Sequence, residues 1–421
     1  MSFPRYPAYK PTGVEWLGEV PEHWDILPLK RRSRLLTEKT ECRDNPVALE
    51  NIEGWTGRFI ETDTEFQGEG IAFESGDILF GKLRPYLAKA YLAAISGQAV
   101  GDFHVIHPLG GLNSRFLQLA LLTRELIDLV NGSTFGAKMP RASWDFLGSL
   151  PLCMPPLDEQ HAIASFLDRE TAKIDALIAE QQCLIELLQE KSQAVISHAV
   201  TKGLNPNAPM KDSVVEWLGE VPEHWQVLPV RRCLEVRNNL RTPIDVATRL
   251  EMEGDYPYYG PTGILSYIDR YMVEGEHFLI GEDGDHFLKF ERLSMSLITD
   301  GQFNVNNHAH LLRGGPSCLT KWGALIFEHR DLAPWLIKQG VGRYKLRKER
   351  LMEIPMAIPP LEEQKQIIEF VDAQRGRVIR VCEECTEMIA VLQERRSALI
   401  SAAVTGQIDV RGLVEAEAGE Q

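Results

Sequence analysis

The eleven residues Val14–Trp24, VEWLGEVPEHW, recur unchanged at Val215–Trp225, 201 positions further on. Identity of that length is not coincidence, and it constrains the chain to a fold built twice. A second pair agrees. Pro155–Leu204 begins PPLDEQHAIASFLD and ends LQEKSQAVISHAVTKGL, and Pro359–Ile408 begins PPLEEQKQIIEFVD and ends LQERRSALISAAVTGQI, 204 positions apart. Between these shared ends the halves diverge. Ile78–Gly81 (ILFG) still matches Phe278–Gly281 (FLIG) at a spacing of 200, and Leu147 and Pro151 match Leu351 and Pro355 at 204. At 204, Asn306-Asn307-His308 falls on Asp102-Phe103-His104, which reads as a surface strand that varies between the copies. Near-identical ends around unlike middles describe one scaffold presenting two different surfaces.

The closing segments read as helices. The pairs Pro155-Pro156 and Pro359-Pro360 stop what precedes them. Asp158-Glu159 and Glu362-Glu363 then place acids in a first turn, where the helix dipole favours them. Apolar residues step by three and four through Ile174, Leu177, Leu184, Leu188 and Val195, and through Val378, Val381, Met388, Leu392 and Leu399. This is a heptad seam, interrupted at Gln181 and Lys191 in one copy and at Cys385 and Arg395 in the other. One reading is two long core helices in separate domains. Against it, neither helix has enough apolar faces to be buried all round. The alternative is that the two equivalent helices pair about a pseudo-twofold axis. A whole domain separates them, so antiparallel pairing is the simpler geometry. From Asp158 to Val200 such a helix runs roughly 65 Å, a spacer.

The middles read as mixed α/β. Short β-type runs (Asp77–Phe80, Phe103–Ile106, His277–Ile280) lie between glycine-rich turns, and Arg115–Val130 and Leu319–His329 have amphipathic helical spacing. The expected class is α+β, with two mixed α/β domains joined by two long antiparallel coiled-coil helices. The expected organisation is 1–154 (opening motif and first middle), 155–204 (first spacer helix), 205–358 (linker, second opening motif and second middle), 359–408 (second spacer helix) and 409–421 (a flexible tail).

With 421 residues the chain can bury two cores, and its 25% charged content is ordinary for a globular protein. Its seven cysteines are scattered and odd in number, which reads as a reduced cytosolic compartment. The longest apolar runs fall far short of the ~18 residues of a membrane span. The net charge of −15 gives no global sign of a nucleic-acid binder, but it is unevenly distributed. Residues 25–150 hold 14 basic and 16 acidic residues and 226–358 hold 17 of each, whereas 156–204 hold 4 against 8 and 360–421 hold 7 against 12. The acidity sits in the helices and tail, and the middles carry basic clusters interleaved with aromatics. That mixture suits phosphate and base-edge contact, although a solvated face with extended side chains has the same composition. Candidate DNA contacts are Lys82, Arg84, Tyr86, Lys89, Lys138 and Arg141 in the first middle. In the second they are Lys289, Asn306, Asn307, His308, Arg343, Tyr344, Lys345 and Arg347.

Catalytic motifs fail on inspection. Gly76–Lys82 fits GxxxxGK, but Leu83 stands where a magnesium-binding hydroxyl belongs, and the second copy has Glu282 at the lysine position. Cys382 and Cys385 form a lone CxxC without a second pair, so no metal site is expected. No methyltransferase motif and no glycine-rich cofactor loop appear.

The doubled VEWLGEVPEHW, the doubled PPL-[DE]-EQ helix start, DILFGKLRPYLAKA in the first middle, and YPYYGPTGILSYID and NNHAHLL in the second span both halves. In combination the chain resembles the DNA-specificity subunit of type I restriction–modification systems. The resemblance implies that each middle is a target-recognition domain reading half of an asymmetric, bipartite site on double-stranded DNA. It also implies that the helices set the half-site spacing and hold two adenine-methyltransferase subunits, with a restriction endonuclease/translocase subunit joining for cleavage. The chain itself would be a non-catalytic, cytoplasmic prokaryotic protein binding no cofactor and touching no membrane. S-adenosylmethionine would sit on the methyltransferase subunits, and ATP and magnesium on the restriction subunit. A coiled-coil adaptor that binds no DNA, a self-sufficient enzyme, and the specificity subunit of a related fused restriction enzyme are the competing readings.

Overall fold

Each proline pair ends a short strand, Pro151–Met154 or Pro355–Ile358, and releases the chain into a helix, Leu157–Lys202 or Leu361–Val404. The residue before a proline is held extended, so the strand cannot run into the helix. The computed structural model describes residues 3–40, 44–62, 69–136, 139–290, 293–328, 330–340 and 344–413.

The repeated glutamines lock each helix start. The Gln160 amide donates to the carbonyls of Pro155 (2.8 Å) and Gly111 (3.0 Å) and accepts from the Asn113 N–H at 2.7 Å. Gln364 does the same with Pro359 (2.8 Å), Ser317 (2.8 Å) and the Leu319 N–H at 2.9 Å. Both side chains are buried with every hydrogen-bonding group in use. The acid one residue earlier receives the opening motif. Glu159 accepts from Trp24 Nε1 (3.0 Å) and the Tyr6 hydroxyl (3.1 Å), with His23 Nε2 at 2.7 Å; Glu363 lies 2.8 Å from His224 Nε2. Burial, with the Glu159 carboxylate alongside, holds the Tyr6 phenol protonated far above its ordinary range. After the second helix the chain turns at Gly406 with φ +76°; a Cβ there would meet Pro21 at 2.3 Å, so only glycine lets the helix end close over the opening motif.

The chain divides into two compact units, 1–182 with 386–421 and 183–385. In the first, a four-stranded antiparallel sheet runs Ser33–Leu36, Phe103–Pro108, Ile78–Gly81, Ala90–Leu92. In the second the order is Leu234–Val236, Ala309–Gly314, His277–Gly281, Ser296–Thr299. Each unit adds a smaller four-stranded sheet, and a two-stranded pairing that ties the start of the middle to its end: Asp25–Pro28 with Pro151–Met154, and Gln226–Pro229 with Pro355–Ile358. The fold is mixed α/β. The helix expected at Arg115–Val130 is two, Ser114–Leu121 and Arg124–Gly132, while Thr320–Phe327 forms within the segment expected at Leu319–His329, whose His329 lies outside the described residues.

Two readings need correction. Leu79 pairs with Val105 and Leu279 with Leu311, so the third strands correspond at a spacing of 206, not 204. His310 therefore matches His104, and both are buried; the strand taken for a variable surface lies in the core. Residues 409–413, expected to begin a flexible tail, are packed into the first unit. Val410 is fully buried and the Asp409 N–H donates to the Pro4 carbonyl at 2.8 Å; 414–421 lie outside the described residues.

The inward face of the long helices also differs from the expected seam. On the first it follows Thr171, Ile174, Ile178, Gln181, Ile185, Leu188 and Ser192; on the second Val371, Arg375, Val378, Cys382, Cys385, Ile389, Leu392, Arg396 and Leu399. Ile174, Leu188, Val195, Val378, Leu392 and Leu399 are buried or half-buried, whereas Leu177, Leu184, Val381 and Met388 are exposed. Leu177 and Ile178 are both apolar, so steps of three and of four from Ile174 fit the pattern equally well, and the step of four is the one used. Gln181 and Cys385, taken for interruptions, belong to the inward face.

Candidate nucleic-acid interface

In the first unit the strand Ile78–Gly81 leads into Lys82, whose N–H donates to the Asp102 carbonyl at 2.9 Å while its own carbonyl accepts from the Ala142 N–H at 2.9 Å. The Arg84 N–H donates to the Pro140 carbonyl at 2.9 Å, and Leu83 bridges to Arg141. His104 Nε2 hydrogen-bonds the Ala142 carbonyl at 3.1 Å, fixing the third segment against the sheet. Lys82, Arg84 and Arg141, 59 residues apart at the extremes, are thus brought together by backbone rungs. Arg141 Nη2 donates to Asp102 Oδ2 at 2.9 Å and Lys82 Nζ lies 3.6 Å from Asp102 Oδ1. The exposed Phe135 bridges to Arg141 in the backbone.

The second unit repeats the frame with different side chains. The Glu282 N–H donates to the His308 carbonyl at 2.7 Å, the Leu346 N–H to the Glu282 carbonyl at 2.8 Å, Asp283 bridges to Lys345, and His310 Nε2 bonds the Leu346 carbonyl at 2.7 Å. Position by position, Glu282 replaces Lys82, Asp283 replaces Leu83, His308 replaces Asp102 and Lys345 replaces Arg141. Lys345 Nζ lies 3.1 Å from Glu282 and 3.3 Å from Asp283, Arg241 donates to Glu282 at 2.6 Å, and His308 Nδ1 is 3.0 Å from Asp283. Burial acts to raise both carboxyls, but these donors outweigh it and hold Glu282 and Asp283 below the usual carboxylate range.

The other candidates separate. Tyr86 is exposed in a cleft shared with Trp55, Arg58 and Arg124. Lys89 is turned inward, donating to the Leu49 carbonyl at 2.7 Å, and burial lowers its pKa. Asn306 is buried with Oδ1 accepting from the His308 N–H at 2.8 Å, so it shapes a turn, whereas Asn307 is exposed. Lys289 is exposed and pairs with Asp285 at 3.0 Å. Tyr344 packs against the second core, and Arg347 is exposed at the start of Lys348–Glu353. Lys138 and Arg343 lie outside the described residues. Sequence reasoning missed Asp102, Phe135, Arg241, Glu282 and Asp283. The signal for Glu282 was present, a reversal of charge against Lys82 on a shared strand. Among the described residues no group of three or more His, Cys, Asp or Glu side chains is placed to hold a metal, and no helix is long and apolar enough to cross a membrane.

The family described as type I restriction modification DNA specificity domain matches residues 39–187 and again 222–376, one match per middle and more than half the chain together. The chain belongs to that family. Among curated relatives, it is 32% identical over 164 residues to a putative type I restriction enzyme specificity subunit of Haemophilus influenzae, covering 39% of this chain and 38% of that one. It is 23% identical over 192 residues to the EcoDI specificity subunit of Escherichia coli, covering 44% and 43%. The chain thus spans less than half the length of these relatives. Its fold is similar, at TM-score 0.67 and 16% identity, to a chain from a study of complex assembly and conformational transition of the type I R-M system, covering 92% of this chain and 99% of that one. The two family matches each enclose one of the frames built around Glu282 and Lys82.

The buried histidines of those frames give a pH dependence. Burial pushes His104 and His310 below the ordinary 6.5, against the bonds to Ala142 and Leu346 that favour the proton. The unfolded chain therefore binds more protons just below pH 6.5, and stability falls as the pH drops through that value. We expect a lower Tm at about pH 5.5 than at about pH 7.5. His104→Asn and His310→Asn should each flatten that slope; a variant with the parent's slope would show that its histidine is not responsible.

Proposed function

We propose that the chain is a sequence-specific DNA-binding specificity subunit that reads an asymmetric, bipartite site. The observation that carries this is the repeated frame: two units build one arrangement of strands, rungs and histidine, then display unlike polar side chains from it. Two reading heads of one design and different chemistry suit two different half-sites. The heads are the target-recognition domains, within 1–154 and 205–358. The two long helices form an antiparallel coiled-coil spacer with pseudo-twofold symmetry. Supporting this, residues 157–182 of the first helix share the first unit with 386–404 of the second, and 183–202 share the second unit with 361–385. A spacer of roughly 65 Å compares with about 34–36 Å per duplex turn, so with allowance for tilt and domain width the half-sites lie about one turn apart.

Partners follow from the same symmetry. The first unit exposes Leu177, Met388 and Val391 on its helical segments, and the second exposes Leu184, Leu187 and Val381. These pair off at the 204-residue repeat as Leu177 with Val381, Leu184 with Met388, and Leu187 with Val391. Equivalent apolar positions displayed twice suit two copies of one partner, the methyltransferase subunits, with a restriction subunit joining them. This chain supplies no catalytic group; S-adenosylmethionine belongs to the methyltransferases, and ATP and magnesium to the restriction subunit. The chain works in the prokaryotic cytoplasm, where those partners and the DNA are.

The test is binding to duplex DNA by the chain co-expressed with methyltransferase subunits. Arg84, exposed at a left-handed turn (φ +52°) with no side-chain acceptor among the described residues, should contact phosphate. Arg84→Ala should weaken binding and reduce the salt slope by about one, and Arg169→Ala, on the spacer, should do neither. Equal effects would remove Arg84 from the interface, and no retention on DNA at all would leave the adaptor reading in its place.

A further inference from the structure

We infer that the matched frame is the base-reading point of each unit, and that its two copies read opposite edges: Arg141 a guanine in one half-site, Asp283 a cytosine in the other. This rests on the proposed DNA reading and makes it specific. The two copies share one backbone frame. The rung through the carbonyl of residue 82 or 282 and the histidine lock on the carbonyl of residue 142 or 346 are the same in both units. That much is what the fold requires. The side chains around it are exchanged wholesale, and the exchanged groups reach solvent: Arg141 is 42% exposed, Asp283 31% and His308 55%. An ion-pair brace alone would need no such reversal, because Lys82 with Asp102 already satisfies the frame.

The chemistry on offer then differs by sign. In the first unit Asp102 accepts from Arg141 and forms an ion pair with Lys82, so the group presented outward is a guanidinium. One edge of the Arg141 fork is fixed by Asp102, and its buried Nε has no acceptor. The outer N–H groups are a pre-oriented donor pair, and guanine offers the matching acceptors O6 and N7 in the major groove. The exposed Phe135 beside it suits the methyl group of a neighbouring thymine. In the second unit the outward groups are the Asp283 carboxylate, with His308 and Lys345 holding its two oxygens in place. Each oxygen keeps a lone pair for one more donor, and the cytosine N4 amine is the major-groove donor that carboxylates read.

Selection of binders from a random-sequence duplex pool, with the intact chain and co-expressed methyltransferase subunits, tests this. The parent should enrich a bipartite motif. Arg141→Ala should relax a guanine position in one half-site by about ten-fold or more, and leave the other half-site unchanged. Arg141→Lys should restore part of that preference. Asp283→Asn should lose a cytosine preference in the other half-site alone. The untouched half-site reports folding of each variant within the same experiment. Uniform weakening without a change in preference would make the frame a phosphate contact and overturn the inference, as would unchanged motifs. A parent that enriches nothing would instead sink the DNA reading from which this follows.

Discussion

Glu159→Ala is expected to destabilise the first unit by about 3–5 kcal/mol, while Glu363→Ala, the same change at the repeated position, costs the second unit about 1 kcal/mol or less. The sequence gives no hint of a difference, since both acids precede a glutamine in the same motif. The difference lies in what each carboxylate holds. Glu159 is buried and accepts from Trp24 and Tyr6, which are themselves buried, so its loss strands an indole N–H and a phenol without water. Glu363 contacts His224, an exposed ring that regains solvent when the acid is removed, and the Trp225 Nε1 has no acceptor even with Glu363 present. Thermal unfolding of the two variants measures it. For units of about 200 residues, each kcal/mol moves Tm by about 2–4 °C, so Glu159→Ala should lower the first transition by about 10 °C and Glu363→Ala should barely move either. Equal shifts would mean that the two opening motifs are docked by packing alone.

The repeats made the duplication, the helix starts and the mixed α/β middles legible, because motifs such as PPL-[DE]-EQ encode joints within the fold: Gln160 and Gln364 close their own helix ends and bind a loop roughly 45 residues away in sequence. What stayed hidden depends on register. The offset between the copies is 200 at the strand Ile78–Gly81, 206 at the third strand and 204 from Leu147 on, so carrying 204 back to the third strand sets His308 on His104 where His310 belongs, and no local pattern reveals it because both neighbours are histidines. The inward face of the first helix was ambiguous for a similar reason, with Leu177 beside Ile178 and Leu184 beside Ile185. For the candidate site, reading basic residues with aromatics finds Lys82, Arg84, Arg141 and Lys345. It also admits Lys89 and Asn306, whose polar groups are spent on backbone, and it passes over the acids. Composition reports which charges exist; only the fold determines which are already satisfied.

The inward face yields the second large effect. Arg395 and Arg396 are adjacent and identical, and the sequence treats Arg395 as the break in the heptad. In the first unit Arg396 is the buried one: its Nε donates to Asp175 Oδ1 at 2.9 Å and its Nη1 to the Trp55 carbonyl at 3.1 Å, while Arg58 donates to the other oxygen of Asp175 at 2.5 Å. Arg396→Ala should cost about 2–3 kcal/mol, because it leaves the largely covered Asp175 carboxylate with one exposed partner, Arg58. Asp175→Ala should cost about 3–5 kcal/mol, since it leaves a buried guanidinium unpaired. Arg395→Ala, on the exposed flank, should stay within about 0.5 kcal/mol. The double variant Asp175→Leu with Arg396→Met separates stability from specificity. A buried ion pair replaced by apolar groups of similar volume is often neutral or stabilising, so the double variant should melt close to the parent. If it does, the pair's contribution is to alignment: opposite charges that meet at one level of the two helices penalise every register but one, as a polar residue does in a coiled coil. The measurable consequence is then in geometry. On the proposed bipartite reading, the double variant should bind each half-site as before but tolerate a change in their separation that the parent rejects, and a parent-like dependence on spacing would assign the pair to stability alone.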